Sequence, residues 1–433
     1  MKVVYLTAGA AGMYCGSCMH DNSVAKEAIR QGVECLLTPV YTPITTDEAD
    51  QSIDRVFFGG INVFLQQKMP WLTYLPRWLD SALNRPSLIR WLTQGAMKTD
   101  ARFLGALTVS MLRGMEGNQR KEVLRLCDWL TRDIQPTHLL LTNMLIAGCL
   151  PEFKKRTHAR TFVTIQGDDI FLESLPEPYR QQSLTAIRSL IPWVDGFLFH
   201  SQDYADRMSR WMEIPDEKVT IIPLGIELQD FQQRPTHRED GPFRIGYLAR
   251  MAPEKGLDLV VDAFIGLRQR DPTCSATLEM AGWMGPQHQD LWNQQQRKLE
   301  EAGLAGHWTY HGSVDRREKI AFLDRIDLLC VPTRYQEPKG LFVLEAAAAG
   351  VPYLLPAHGA FPETHERLNY GQLVAPLDPQ ALLLGLEQAI AQGPTSIQER
   401  NRQRDRLQQI ISIEAHTQRL MEKMSEEKLG TRS

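Results

Sequence analysis

The chain has 433 residues, 43% of them hydrophobic, and a formal net charge of −4. That is enough chain for two sizeable domains, and the acidic balance argues against a nucleic-acid partner. Seven cysteines, an odd number spread along the chain, do not make a disulfide framework and suit a reducing, cytoplasmic compartment, and no apolar run reaches the ~18 residues of a transmembrane helix.

Val3 to Leu6 is an apolar run too short for a signal peptide and reads as a first buried strand. A loop of small residues follows, Ala8-Gly9-Ala10-Ala11-Gly12, then Cys15-Gly16-Ser17-Cys18. A helix is expected from about Cys18 to Arg30, and Gly32 to Leu37 opens the next strand. Strand, glycine-rich turn, helix, strand is how a Rossmann-like unit begins, without the dinucleotide fingerprint. Cys15-x-x-Cys18 with His20 invites a metal or redox reading. A structural zinc site needs a second close ligand pair, which the sequence lacks, so loop packing is preferred. Asp47-Glu48-Ala49-Asp50 spells a helicase box, but no phosphate-binding G-x-x-x-x-G-K-[ST] loop accompanies it.

From Gln66 to Lys121 the character changes. Trp71, Trp78 and Trp91 are interleaved with Arg77, Arg85 and Arg90, and the span holds nine Lys/Arg against three Asp/Glu. Arg102–Leu107 and Val109–Arg113 are expected as amphipathic helix. The preferred reading is helices packed on the first domain with their arginines solvated. The competing one is an acceptor-side or peripheral membrane contact, on the inner face of a membrane.

His138–Asn143 and Arg160–Asp169 read as strands ending in polar residues, at the end where open α/β sheets bind ligands. Asn143, Gln166 and Asp168 are therefore ligand-binding candidates. Gln166 could hydrogen-bond a hydroxyl, and Asp168 or Asp169 could take a proton or cap the following helix. Gly196–Ser201 and Val219–Ile226 are further strands, and 232–242 has linker composition. A second α/β domain opens at Phe243–Arg250 and runs through Met251–Gly256 into a helix from Leu257 to Leu267. Arg250 and Lys255 flank that turn, and two cations there could neutralise a diphosphate.

Leu328–Pro332 is a short buried strand, and Pro338 and Gly340 punctuate the loop after it. A helix follows from about Gly340 to Gly350, so Glu337 precedes its N-terminus and Glu345 lies about one and a half turns inside. Free amides at a helix N-terminus bind anions. A diphosphate there would have a carboxylate on each side, able to accept hydrogen bonds from vicinal hydroxyls. Two solvated glutamates on an ordinary strand-loop-helix is the alternative. Ile410–Met424 is expected as the terminal helix.

Two glutamates separated by seven residues, in the setting Pro332-Thr333…Glu337-Pro338-x-Gly340…Leu344-Glu345-Ala346…Gly350-Val351-Pro352, resemble the signature of retaining glycosyltransferases of family 4. The resemblance implies a GT-B fold, that is, α/β with two Rossmann-like domains and a cleft between them. It implies an acceptor-side domain at 1–230 with the extra segment at 66–121 and with Asn143, Gln166 and Asp168 on the acceptor side, a donor domain at 231–409, and a helix at 410–433 crossing back. By resemblance Glu337 faces the donor sugar and Glu345 the ribose. Arg250 and Lys255 match the diphosphate-binding pair in spacing. Gly340 and Leu341 lie at the helix head, and Gly16 matches the glycine facing the donor phosphates. The residue after Pro338 is usually aromatic, and here Lys339 could add charge toward the diphosphate. A family histidine is replaced by Gln166.

The expectation is a metal-independent, retaining hexosyltransferase without a cofactor. It would use a UDP, GDP or ADP sugar and a carbohydrate, lipid or small-molecule acceptor. The alternatives are a GT-B sugar-nucleotide epimerase, a phosphorylase, or a non-catalytic scaffold of the same fold.

Overall fold

The computed structural model describes residues 1–9, 16–42, 50–53, 57, 67, 101–232 and 241–426. The chain divides into two compact units. Unit 1 comprises 1–199, 205–222 and 417–433, and unit 2 comprises 200–204 and 223–416. Each is built on one six-stranded sheet.

In unit 1 the strands are β1 (Lys2–Thr7), β2 (Glu34–Pro39), β3 (His138–Leu141), β4 (Arg160–Thr164), β5 (Gly196–Phe199) and β6 (Val219–Ile221). They lie in the order β2-β1-β3-β4-β5-β6, all parallel. Val3, Val4, Tyr5 and Leu6 are buried in succession, as expected of a parallel strand covered by helices on both faces. The polar strand ends emerge together, because β1 and β3 flank the point where the strand order reverses.

Unit 2 repeats the design with β7 (Arg244–Leu248), β8 (Thr277–Ala281), β9 (Trp308–Tyr310), β10 (Leu328–Cys330), β11 (Tyr353–Pro356) and β12 (Gly371–Val374). Their order is β12-β11-β10-β7-β8-β9, again all parallel. The reversal falls between β7 and β10, so the turn after β7 and the loop after β10 are neighbours. The expected α/β architecture with two Rossmann-like sheets is present.

The amphipathic pieces expected between 102 and 113 form one helix, Ala101–Leu112. Its buried side includes Thr108, Val109, Met111 and Leu112. Residues 66 and 68–100, with all three tryptophans of that segment, lie outside the described residues, as do Cys15 and most of 47–50. The terminal helix begins at Ile413, not Ile410. A preceding helix, Ile397–Ile411, stops at Ser412, because Ile226 intervenes. The Ile226 amide donates to the Ile411 carbonyl at 2.8 Å, and the Ile413 amide donates to the Ile226 carbonyl at 2.9 Å.

Candidate active site

In unit 2 the chain leaves β7 and makes a single turn at Pro253–Lys255. Gly256 follows at φ +71°, and a Cβ there would stand 2.0 Å from the Pro332 carbonyl oxygen. Only glycine fits, so this turn is pressed against the loop leaving β10. The Arg334 amide donates to the Glu254 carbonyl at 2.8 Å and tightens the same contact. The result is that Lys255, 9% exposed, meets Glu337, 4% exposed.

The Lys255 Nζ stands 2.7 Å from Glu337 Oε2 and 2.6 Å from Tyr335 Oη. Tyr335 Oη in turn donates to Glu337 Oε2 at 2.5 Å. The ammonium also lies 4.9 Å from the Tyr335 ring centre and 5.5 Å from that of Phe342, where ring faces attract a cation. Glu337 Oε1 accepts the Gly340 amide at 3.3 Å. Burial alone would raise the Glu337 carboxyl. The Lys255 charge and the hydrogen bonds from Lys255, Tyr335 and Gly340 outweigh it and hold the group below its ordinary value. Burial, then the Glu337 charge, pushes the Tyr335 phenol well up, so it stays a donor.

Gly340 caps the helix Leu341–Ala348 at φ +65°, a conformation that side chains resist. The helix is buried from Phe342 onward, and its first amides lack intrahelical acceptors. Glu345, 8% exposed, binds Lys319 Nζ through Oε1 at 2.7 Å. Glu337 thus precedes the helix and Glu345 lies within it, and neither is simply solvated.

Arg250 behaves differently from Lys255. It is exposed and pairs with Glu254 at 2.9 Å, and such surface pairs contribute little. It is still close enough for its charge to act on the Tyr335 phenol. Lys339 and Leu341 are half-buried.

In unit 1 one acceptor-side candidate, Gln166, lies 3.3 Å from a buried carboxylate that sequence reasoning missed. Asp21 is fully buried and accepts from Tyr5 Oη, from Thr7 Oγ1 at 2.8 Å and from Thr142 Oγ1 at 2.7 Å. Gln166 Nε2 donates to Thr142 Oγ1 at 2.7 Å, so its amide nitrogen is committed inside the protein. Asp168 does not cap its own helix, Asp168–Ser174. It accepts the Met144 amide at 2.8 Å and the Gln166 amide at 3.4 Å. Burial pushes its carboxyl up to about 7. Asp169 faces Arg207 at 3.4 Å. Asn143 Oδ1 is buried without a hydrogen-bond partner among the described residues. Gly16 is the first residue of the helix Gly16–Arg30. A cavity of about 480 Å³ in unit 1, lined in part by Arg113, Glu152 and Trp193, contains none of these residues.

Tyr335 and Lys319 were also missed. Tyr335 had only a weak signal, being an aromatic residue two positions before Glu337 in the same loop. Lys319 had none, because its partner sits on another helix. Among the described residues no group of three or more His, Cys, Asp or Glu is placed to hold a metal ion. No described helix is long and apolar enough to cross a membrane.

The family described as "Glycosyl transferases group 1" matches residues 229–408. A glycogen synthase of Mycobacterium tuberculosis is 32% identical over 187 residues, 43% of this chain and 42% of that one. A GDP-mannose-dependent alpha-(1-6)-phosphatidylinositol monomannoside mannosyltransferase of the same organism is 31% identical over 175 residues, 37% of this chain and 43% of that one. The matched region thus spans under half the length of these curated relatives. Among solved structures, Anabaena HepE in complex with UDP superposes with a TM-score of 0.67 at 16% identity, covering 98% of this chain and 100% of that one. Sucrose-phosphate synthase from Thermosynechococcus elongatus gives 0.66 at 16% identity, covering 98% of both. At that identity the likeness shows the fold, which is GT-B.

Proposed function

We propose that the protein is a retaining, metal-independent glycosyltransferase of family 4 that takes its sugar from a nucleotide-diphosphate sugar. The observation that carries this reading is the buried Lys255–Tyr335–Glu337 cluster at the head of the helix Leu341–Ala348, with Glu345 further along the same helix. An ammonium has three protons, and two of Lys255's point at Tyr335 and Glu337. Together with the helix amides and Arg250, Lys255 is suited to stabilise the diphosphate as the glycosidic bond breaks. Glu337, kept ionised, faces the anomeric carbon where positive charge develops. Glu345 accepts from a ribose hydroxyl. With retention, the departing phosphate takes the acceptor's proton on the same face, so the absence of a histidine at Gln166 is tolerable.

The acceptor is assigned to unit 1, where an acceptor hydroxyl would supply the donor that Asn143 Oδ1 lacks. The named activities of the relatives, a glycogen synthase and a phosphatidylinositol-linked mannosyltransferase, support saccharide and lipid-linked acceptors as the classes to try first.

The test is a panel of UDP, GDP and ADP sugars, read by thermal shift and by release of nucleoside diphosphate with and without acceptor. A true donor well above its dissociation constant raises the melting temperature by mass action. The anomeric configuration of the product, read by NMR, tests retention. Conversion of the donor sugar without any acceptor would identify an epimerase, and dependence on inorganic phosphate a phosphorylase. No binding across the panel would leave a non-catalytic scaffold.

A further inference from the structure

The loop that carries Glu337 brings a phenol to the same carboxylate oxygen as Lys255. The backbone of this loop is held from two sides. On one side Arg334 pairs with Asp258, and its amide donates to the Glu254 carbonyl at 2.8 Å. On the other the Glu337 carbonyl accepts the Ala360 amide at 2.8 Å, and a Cβ on Gly359 would stand 2.6 Å from the Glu337 amide nitrogen and carbonyl oxygen. The places of Tyr335 and Glu337 are thus set by the packing of the loop.

Three hydrogen bonds close a triangle there. Lys255 Nζ donates to Tyr335 Oη at 2.6 Å and to Glu337 Oε2 at 2.7 Å, and Tyr335 Oη donates to the same Oε2 at 2.5 Å. The ammonium polarises the phenol oxygen and so strengthens the phenol as a donor. Arg250 and Glu254, on the turn after β7, also act on the phenol. From the loop after β11, His358 Nε2 lies 3.0 Å from the Thr333 carbonyl oxygen and so engages the backbone of the Glu337 loop.

The two donors on Oε2 respond differently to an anionic ligand. Lys255 acts through its charge, and a diphosphate beside it competes with Glu337 for that charge. The phenol is neutral, so its bond to the carboxylate does not weaken in the same way.

We infer that Tyr335 is a positioning residue of the reacting centre. Its hydroxyl is the donor that keeps the Glu337 carboxylate oriented and charged while Lys255 serves a bound diphosphate. This rests on the glycosyltransferase reading above.

The experiment measures donor kinetics for wild type, Tyr335→Phe and Tyr335→Leu from about pH 4.5 to about pH 9, with thermal unfolding to confirm that each variant is folded. Tyr335→Phe keeps the ring under Lys255 and removes only the hydroxyl. It should move the acid limb of the kcat profile up by about one pH unit, as for the loss of one hydrogen bond to a carboxylate. The acid limb of kcat/KM should move less, because it reports the free enzyme, where Lys255 is wholly available to Glu337. On the alkaline plateau kcat and donor KM should both stay within about threefold of wild type. Tyr335→Leu should move the same limb and also raise the donor KM, because the ring face under Lys255 is lost. A second measurement uses the wild type itself: carbon-13 NMR titration of the Glu337 carboxyl, identified by its absence in Glu337→Gln, with and without UDP or GDP. The carboxyl should titrate within about half a pH unit of the same value in both states.

An unmoved acid limb in folded Tyr335→Phe would overturn the proposal. So would a loss of kcat that is the same at every pH, which is what packing alone predicts, or equal shifts in kcat and kcat/KM. A rise of about one pH unit or more in the wild-type Glu337 carboxyl on adding the diphosphate would also overturn it, and that result needs no Tyr335 variant to fold. Failure of the wild type to turn over or bind any nucleotide-sugar donor would instead remove the glycosyltransferase reading, and this proposal with it.

Discussion

The pair Lys255–Glu337 offers the sharpest test of the geometry, because only the half that strands the Glu337 carboxylate should fail with a carboxylate pH dependence. At 2.7 Å and an effective dielectric of 20 the attraction is about 6 kcal/mol, but desolvation of both groups offsets much of it. Removing one partner strands the other charge, which costs about 3–5 kcal/mol. In the wild type the Glu337 carboxyl is held below its ordinary value. Its contribution is therefore present at neutral pH and lost as pH falls through the carboxylate range. Lys255→Met reverses the sign. Glu337 then sits buried with only the Tyr335 hydroxyl and the Gly340 amide, and its carboxyl rises above the unfolded value. The penalty should grow from about pH 4 to pH 8. Glu337→Gln strands the buried ammonium instead and removes the carboxylate, so its penalty should lack the carboxylate titration between pH 4 and pH 8. The double variant Lys255→Met/Glu337→Gln should recover at least half of the summed loss. The assay is thermal unfolding by calorimetry between pH 4 and pH 10. For a unit of this size each kcal/mol moves Tm by about 2–4 °C, so each single variant should lose roughly 6–20 °C near pH 8. Additive single losses, with coupling under about 0.5 kcal/mol, or a penalty for Lys255→Met that ignores pH, would refute the buried pair.

Four further outcomes are expected. Glu337→Gln should lower kcat strongly, because its carboxylate acts where charge develops, whereas Glu345→Gln should mainly raise the donor KM, by about 1–3 kcal/mol in binding. The reverse pattern in donor kinetics would mean that the ligand lies the other way round. Arg250→Ala should lose on the order of a few kcal/mol of transition-state stabilisation despite its exposed pairing with Glu254, and EDTA should leave turnover unchanged; wild-type turnover in the variant, or a strict divalent-cation requirement, contradicts these assignments. Asp168 is pushed up to about 7, so its ionisation opposes folding as pH rises from about 4 to 7. Asp168→Asn should then gain up to roughly 4 kcal/mol over wild type at pH 8 and little at pH 4, and denaturation showing the same difference at both pH values rejects a raised carboxyl. If the Trp/Arg stretch 66–121 touches membranes, the protein should sediment with anionic liposomes and be released by high salt. No sedimentation at low salt removes the membrane reading.

Much of the fold was legible in the chain because parallel strands buried on both faces must be continuously apolar. Val3–Leu6, Leu139–Leu141 and Leu328–Cys330 are such runs, and the polar residues following them mark the ligand-binding ends. The positions of Glu337 and Glu345 around a helix start were legible for a similar local reason, since proline and glycine punctuate the loop and good helix formers follow. The break at Ser412 was not, because it depends on a bridge to Ile226, far away in sequence.

The same boundary runs through the site. Local pattern determined that two carboxylates and two cations lie at the ends of strands, since strand ends and helix starts are properties of neighbouring residues. It did not determine which charges meet. Lys255 and Glu337 are 82 positions apart, and they touch because β7 and β10 are adjacent in the sheet and Gly256 lets the two loops close. Lys319 reaches Glu345 from a different helix, Arg316–Arg325. Gln166, a candidate for binding a hydroxyl, spends its amide nitrogen on Thr142 because β3 and β4 are neighbours. Periodicity and propensity act over a few residues. Burial and pairing of a charge depend on what the strand order and the packed helices bring to it from elsewhere in the chain, and that is decided only once the sheet has formed.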